Sequence, residues 1–90
     1  MSLTGADVRA KRFATTRFRE GYEPGDVDAI LERAAAALDD VAAHRATHLT
    51  LTAEQLQNAK FRATKFREGY DQDVVDDFLD TVVKALRPAL

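Results

Sequence analysis

Ninety residues with 46% hydrophobic content suffice for one small domain, whose core is limited by its high surface-to-volume ratio. The absence of cysteine excludes a disulfide framework and a thiolate metal site, and it fits a cytoplasmic setting. A net charge of -2 gives no general preference for polyanions, so any electrostatic signal has to lie in how the charges are distributed.

The start, Met1-Ser2-Leu3-Thr4, lacks the charged and apolar regions of a secretory signal, and no apolar run approaches the ~18 residues of a membrane span. A soluble or peripheral protein is expected. A shift of 48 positions aligns residues 3–40 with 51–88 and gives 14 identities over those 38 pairs. The chain is therefore a tandem duplication, with repeats over 1–48 and 49–90. Two copies are fewer than the three or more that a solenoid needs, so a closed pair is the better expectation.

Each repeat opens on a helix-start signature, Leu3-Thr4 and Leu51-Thr52. The threonine is placed to cap a short helix, with Asp7 or Gln55 three residues on completing a capping box. Leu3 with Val8, and Leu51 with Leu56, have the spacing of a hydrophobic staple. These short helices are expected to end near Phe13 and Phe61. The following stretches, 14–19 and 62–67, show neither helical nor strand period and read as ordered loops. Gly21 and Gly69 then offer a conformationally permissive turn, and Tyr22 and Tyr70 are expected to anchor the loops on the helices.

Long helices follow. The first starts near Glu23-Pro24-Gly25-Asp26, with proline suited to the first turn, and runs to about Ala46, roughly 34 Å at 1.5 Å per residue. The second starts at Asp71-Gln72-Asp73 and stops at Arg87-Pro88. Apolar residues recur at Val27, Leu31, Ala34, Leu38 and Val41, and at Val75, Leu79, Val82 and Leu86, the spacing of a helix-pairing seam. Ile30, Phe78 and Val83 widen it. The expected fold class is all-α: two copies of short helix, ordered loop and long helix, with the long helices packed as a parallel, coiled-coil-like pseudo-dimer. The short 47–50 linker keeps two alternatives in play, an antiparallel helical hairpin and a swapped dimer.

Charge is distributed in blocks. Arg9, Lys11, Arg12, Arg17 and Arg19 fall within 8–19 with no acid, and Lys60, Arg62, Lys65 and Arg67 within 55–67, again with none. Acid-rich helix starts follow both. If the two loops lie at one end, that end is cationic and drawn to an anionic surface. In each loop a phenylalanine is flanked by cations, Arg17-Phe18-Arg19 and Lys65-Phe66-Arg67. Burial of one phenylalanine in a bilayer yields roughly 1.5–3 kcal/mol, and each nearby cation adds about 1 kcal/mol on an anionic leaflet. Two linked loops add avidity. The competing reading makes Phe18 and Phe66 core residues and the cations a solvated face. Phe13 and Phe61, at the ends of the short helices, are assigned to the core.

Other functions have less support. Acidic segments beside each loop and a pI of about 5.6 weigh against nucleic acid, although basic residues interleaved with phenylalanine can bind it. His44 and His48 have the spacing of half a metal site without an evident third ligand, so no metal or cofactor is expected. No nucleophile motif or phosphate-cradling glycine loop is present, and no enzyme activity is expected.

The order Leu-Thr, Phe13, Phe18-Arg19, Gly21-Tyr22 and Val27-Asp28, repeated as Leu51-Thr52, Phe61, Phe66-Arg67, Gly69-Tyr70-Asp71 and Val75-Asp76-Asp77-Phe78-Leu79-Asp80, resembles the N-terminal domain of DivIVA proteins. It is most similar to duplicated DivIVA-domain proteins of actinobacteria. The resemblance implies a protein of bacterial cell division or polar growth, peripheral on the inner face of the cytoplasmic membrane, in which helices pair with crossed loops. It also implies that Phe18 and Phe66 enter the bilayer while Arg19 and Arg67 meet headgroups, with Arg17 and Lys65 alongside. Gly5 and Ala53 stand where that family usually has proline. No long coiled coil follows Leu90, so a small adaptor or modulator of a longer DivIVA-like or other division protein is expected, as a monomeric pseudo-dimer or homodimer.

Overall fold

The computed structural model describes residues 3–43 and 51–87, in which each repeat runs helix, two two-residue strands, helix. Helix α1 (Gly5–Ala10) leads to β1 (Thr15–Thr16), β2 (Gly21–Tyr22) and α2 (Pro24–Ala42). The second repeat gives α3 (Ala53–Gln57), β3 (Ala63–Thr64), β4 (Gly69–Tyr70) and α4 (Gln72–Leu86).

Local rules set the helix starts. Thr4 and Thr52 each accept from the backbone N–H three residues on, and the side chains of Asp7 and Gln55 accept in return, so both capping boxes form. Pro24 opens α2, where its missing N–H costs nothing. Asp71 caps α4 by accepting from the N–H groups of Asp73 and Val74. The short helices stop at Ala10 and Gln57, before the expected Phe13 and Phe61. Helix α2 closes at Ala42, short of Ala46, and His44, His48 and the 47–50 linker lie outside the described residues.

The all-α expectation fails at the stretches read as loops. Their ends form one four-stranded antiparallel sheet in the order β1-β4-β2-β3. Strand β1 pairs with β4 and β2 with β3, so each loop finds its backbone partners in the other repeat. Tyr22 faces Tyr70 at the centre. Two bonds extend the ladders to the helix starts, Glu23 N–H to Arg62 O and Asp71 N–H to Ala14 O, both 2.8 Å. They are related by the 48-residue shift, as are the ladders, so the sheet carries a pseudo-twofold axis between Tyr22 and Tyr70. Two residues per strand are too few to show a period of two, which is why sequence pattern missed the sheet.

The sheet, rather than a coiled-coil seam, sets the helices side by side. Helices α2 and α4 each begin within two residues of the central strands, which run antiparallel to each other, so both helices are anchored at the middle of the sheet. Each short helix packs chiefly on the long helix of its own repeat, α1 on α2 and α3 on α4. The core joins these layers through Val27, Leu31, Ala34 and Leu38 with Val75, Leu79, Val82 and Leu86, all buried, together with Val8, Leu51 and Leu56. Val41, assigned to the seam, is exposed.

The loop glycines serve another purpose than the expected one. No glycine has positive φ among the described residues. A Cβ on Gly69 would overlap the Thr64 hydroxyl, and one on Gly21 would lie 2.8 Å from Tyr70 O and 3.0 Å from Thr64 Oγ1. Both glycines are needed for close approach around Thr64, which is 1% exposed and whose hydroxyl has no hydrogen-bond partner among the described residues. Gly69→Ala should therefore lower stability by about 1–3 kcal/mol, the usual cost of overpacking, in urea unfolding. Much of that loss should be recovered when Thr64→Ala is added, because the clashing hydroxyl and methyl are then gone.

Candidate membrane-facing loops

The loops joining β1 to β2 and β3 to β4 carry the repeated Phe-Arg-Glu. Phe18 is 97% exposed and Phe66 is 94% exposed, and neither packs on the core. The aromatic residues that do pack are the others. Phe13 lies 5.1 Å from the Tyr70 ring and 5.8 Å from Phe78, and Phe61 lies 5.2 Å from Tyr22. Tyr22 and Tyr70 also reach across the pseudo-axis, each donating its hydroxyl at 2.8 Å, to Asp76 and to Asp28 respectively. Burial, then the bond to Asp76, pushes the Tyr22 phenol up to about 12. Loop and helix of opposite repeats are thus locked together immediately behind the exposed phenylalanines.

The basic residues divide into two groups. Arg19 pairs with Asp71 at the start of α4, and Arg67 pairs with Glu23 at the start of α2. Arg17 reaches Glu68 in the other loop at 3.5 Å, which holds the two Phe loops next to each other. Arg62 makes a two-point contact with Asp26, at 2.9 and 3.0 Å, and adds its backbone N–H at 3.0 Å. Arg9 bridges Glu32 and Asp39. Lys11, Arg12, Lys60 and Lys65 have no carboxylate partner among the described residues.

The cationic end foreseen from sequence is therefore partly neutralised. The acidic helix starts, which sequence reading set apart from the loops, are the carboxylates that clasp them. Arg19 and Arg67, the residues expected to meet headgroups, also fasten each loop to the opposite helix start. Their guanidinium groups remain more than half exposed.

Loop two differs from loop one in its backbone. Phe66 has φ 60, the sole positive value at a non-glycine among the described residues, and Phe18 is free of this strain. Such a conformation costs a bulky side chain of order 1–3 kcal/mol.

Among the described residues no group of three or more His, Cys, Asp or Glu could hold a metal ion, and no helix is long and apolar enough to cross a membrane. No protein-family model, curated protein or solved structure matches the chain.

Two outcomes follow from these loops. Phe66→Gly should be more stable than Phe18→Gly by about 1 kcal/mol or more in chemical unfolding, because only the former releases a left-handed backbone. The clasp should also fail in acid. Asp26 is held down to about 2 by the Arg62 side chain and backbone, Glu23 is lowered chiefly by Arg67, and Asp71 is lowered by the Val74 N–H and the charge of Arg19. Folded pKa values below the ordinary ones stabilise at pH above about 4, and that contribution disappears as pH falls toward 2. In thermal unfolding followed by circular dichroism, Arg62→Gln should melt below the parent at pH 6, and the difference should close near pH 2.

Proposed function

We propose that this chain is a small non-enzymatic DivIVA-like protein of bacterial cell division or polar growth that binds the anionic inner face of the cytoplasmic membrane. The observation that carries the reading is the pair of phenylalanines, 97% and 94% exposed, on loops held side by side. A monomer gains nothing in water from leaving two large aromatic side chains on adjacent tips, whereas a bilayer accepts both at about 1.5–3 kcal/mol each. Arg17, Arg19, Lys65 and Arg67 flank them, all on the exposed surface. Lys65 is unpaired among the described residues and supplies attraction to anionic headgroups directly. Arg17, Arg19 and Arg67 do so while keeping or exchanging their carboxylate partners.

The two loops act as linked ligands. A single Phe loop gives marginal attachment, and the second raises it by holding the first near the surface. The protein then serves as an adaptor or modulator of longer DivIVA-like or other division proteins.

In co-sedimentation, the parent should bind vesicles of phosphatidylglycerol and phosphatidylethanolamine and release them at high salt. Phe18→Ser with Phe66→Ser should lose at least tenfold in partition while keeping the parent melting temperature, because neither ring contributes to the core. A folded double variant that binds as well as the parent would sink the insertion mechanism.

A further inference from the structure

The duplication produced a second pair of related features on the flanks. Between the short and long helix of each repeat runs a groove with an aromatic and aliphatic floor. The first is about 480 Å³ and is floored by Val8, Phe13, Leu31 and Tyr70. Its counterpart is about 220 Å³ and is floored by the matching Leu56, Phe61, Leu79 and Tyr22. The floors agree position for position under the 48-residue shift, and so do the acids of the long-helix rims, but the short-helix rims do not.

On the short-helix side of the first groove stand Arg9, Lys11 and Arg12, and the corresponding positions of the second are Gln57, Ala59 and Lys60. Arg9 is occupied by Glu32 and Asp39. Lys11 is not paired with a carboxylate among the described residues, and its ammonium stands 6.0 Å from the Phe13 ring centre and 5.4 Å from that of Phe78. Arg12 turns back on the carbonyls that end α1, those of Arg9, Ala10 and Lys11, at 3.4–3.5 Å. The long-helix rims of both grooves are acidic, Asp28 and Glu32 in the first and Asp76 and Asp80 in the second. In the first, however, Glu32 is taken up by Arg9 and Asp28 accepts from Tyr70, while Lys11 and Arg12 add two cations without carboxylate partners among the described residues on the short-helix lip.

We propose that the first groove docks an acidic, aromatic-bearing peptide segment of a partner protein. Its volume lies within the range of sites that take large side chains, and Phe13 and Tyr70 offer them ring faces. Lys11 and Arg12 supply the positive charge that an acidic segment matches, and cations at a rim select for partner charge and speed encounter. The second groove is about half the size and has Ala59 and Gln57 in place of Lys11 and Arg9, so an acidic segment discriminates between the two. This surface is separate from the Phe loops and leaves them free for another contact.

The test uses the full chain, labelled with nitrogen-15, and a synthetic twelve-residue peptide carrying Phe and Leu at helical spacing among Asp and Glu. The expected result is a single saturable site, with amide shifts concentrated at Val8, Phe13, Leu31 and Tyr70. Affinity should fall at least tenfold in Lys11→Glu with Arg12→Glu, both of which are exposed, measured at a temperature where circular dichroism shows the variant fully folded. The milder Lys11→Gln with Arg12→Gln should change it in the same direction. A peptide with Lys in place of the acids should not bind. Absence of binding, shifts centred on the second groove or the Phe loops, or affinity indifferent to the charge reversal would overturn the proposal. So would bicelles containing phosphatidylglycerol perturbing the same groove residues while the peptide does not, since the groove would then be a lipid site.

Discussion

The structure depends on an exchange of backbone partners between the two repeats. Strands β1 and β2 of the first repeat do not pair with each other; they pair with β4 and β3 of the second, and β2 meets β4 on the pseudo-axis. Backbone groups in such a loop would otherwise be left to water, and a two-residue strand has no stability alone. The exchange supplies partners for both loops in one step. It also fixes everything attached to them: α2 and α4 start together because the strands that feed them are neighbours, and the Phe-Arg tips lie together because each loop is tied to the opposite helix start. One repeat in isolation has the sequence of half an interface, and the duplication places the other half on the same chain.

What could be read from the sequence follows the range of the forces involved. Caps are local, so Thr4 with Asp7, Thr52 with Gln55 and Pro24 at the head of α2 were legible. Amphipathic spacing is local too, and eight of the nine seam positions are buried, with Val41 as the exception at the far end of α2. The sheet was not legible. Its strands are two residues long and their partners stand about 50 residues away, so no alternation records them. For the same reason the glycines were given the wrong purpose. Gly21 and Gly69 read as turn formers, but the constraint on them comes from Thr64, packed against both. The ion pairs show the limit most clearly. Blocks of base followed by blocks of acid suggested a molecule with separated charges, whereas folding brings the base of one repeat onto the acid of the other, as in Arg67 with Glu23 and Arg19 with Asp71.

Pseudo-symmetry and divergence divide the proposed roles. Where the repeats agree, at Phe18 and Phe66 with their neighbouring arginines, the chain presents two copies of one device, and a membrane is the kind of partner that rewards repetition. Where they differ, at Lys11 and Ala59 or Arg9 and Gln57, one flank has acquired a character the other lacks, which suits a partner of defined sequence. The strain at Phe66 belongs with the first role. It persists in a loop otherwise fixed by its ladder.

The presentation of both rings to a bilayer is most directly tested by depth. The chain has no tryptophan, so Phe18→Trp and Phe66→Trp each introduce a unique fluorophore. Measured on phosphatidylglycerol-rich vesicles with bromine placed at successive acyl positions, both variants should shift to the blue and be quenched at a similar depth below the headgroups. Two tryptophans that stay in water while the protein is vesicle-bound, or one that enters while the other does not, would contradict paired insertion.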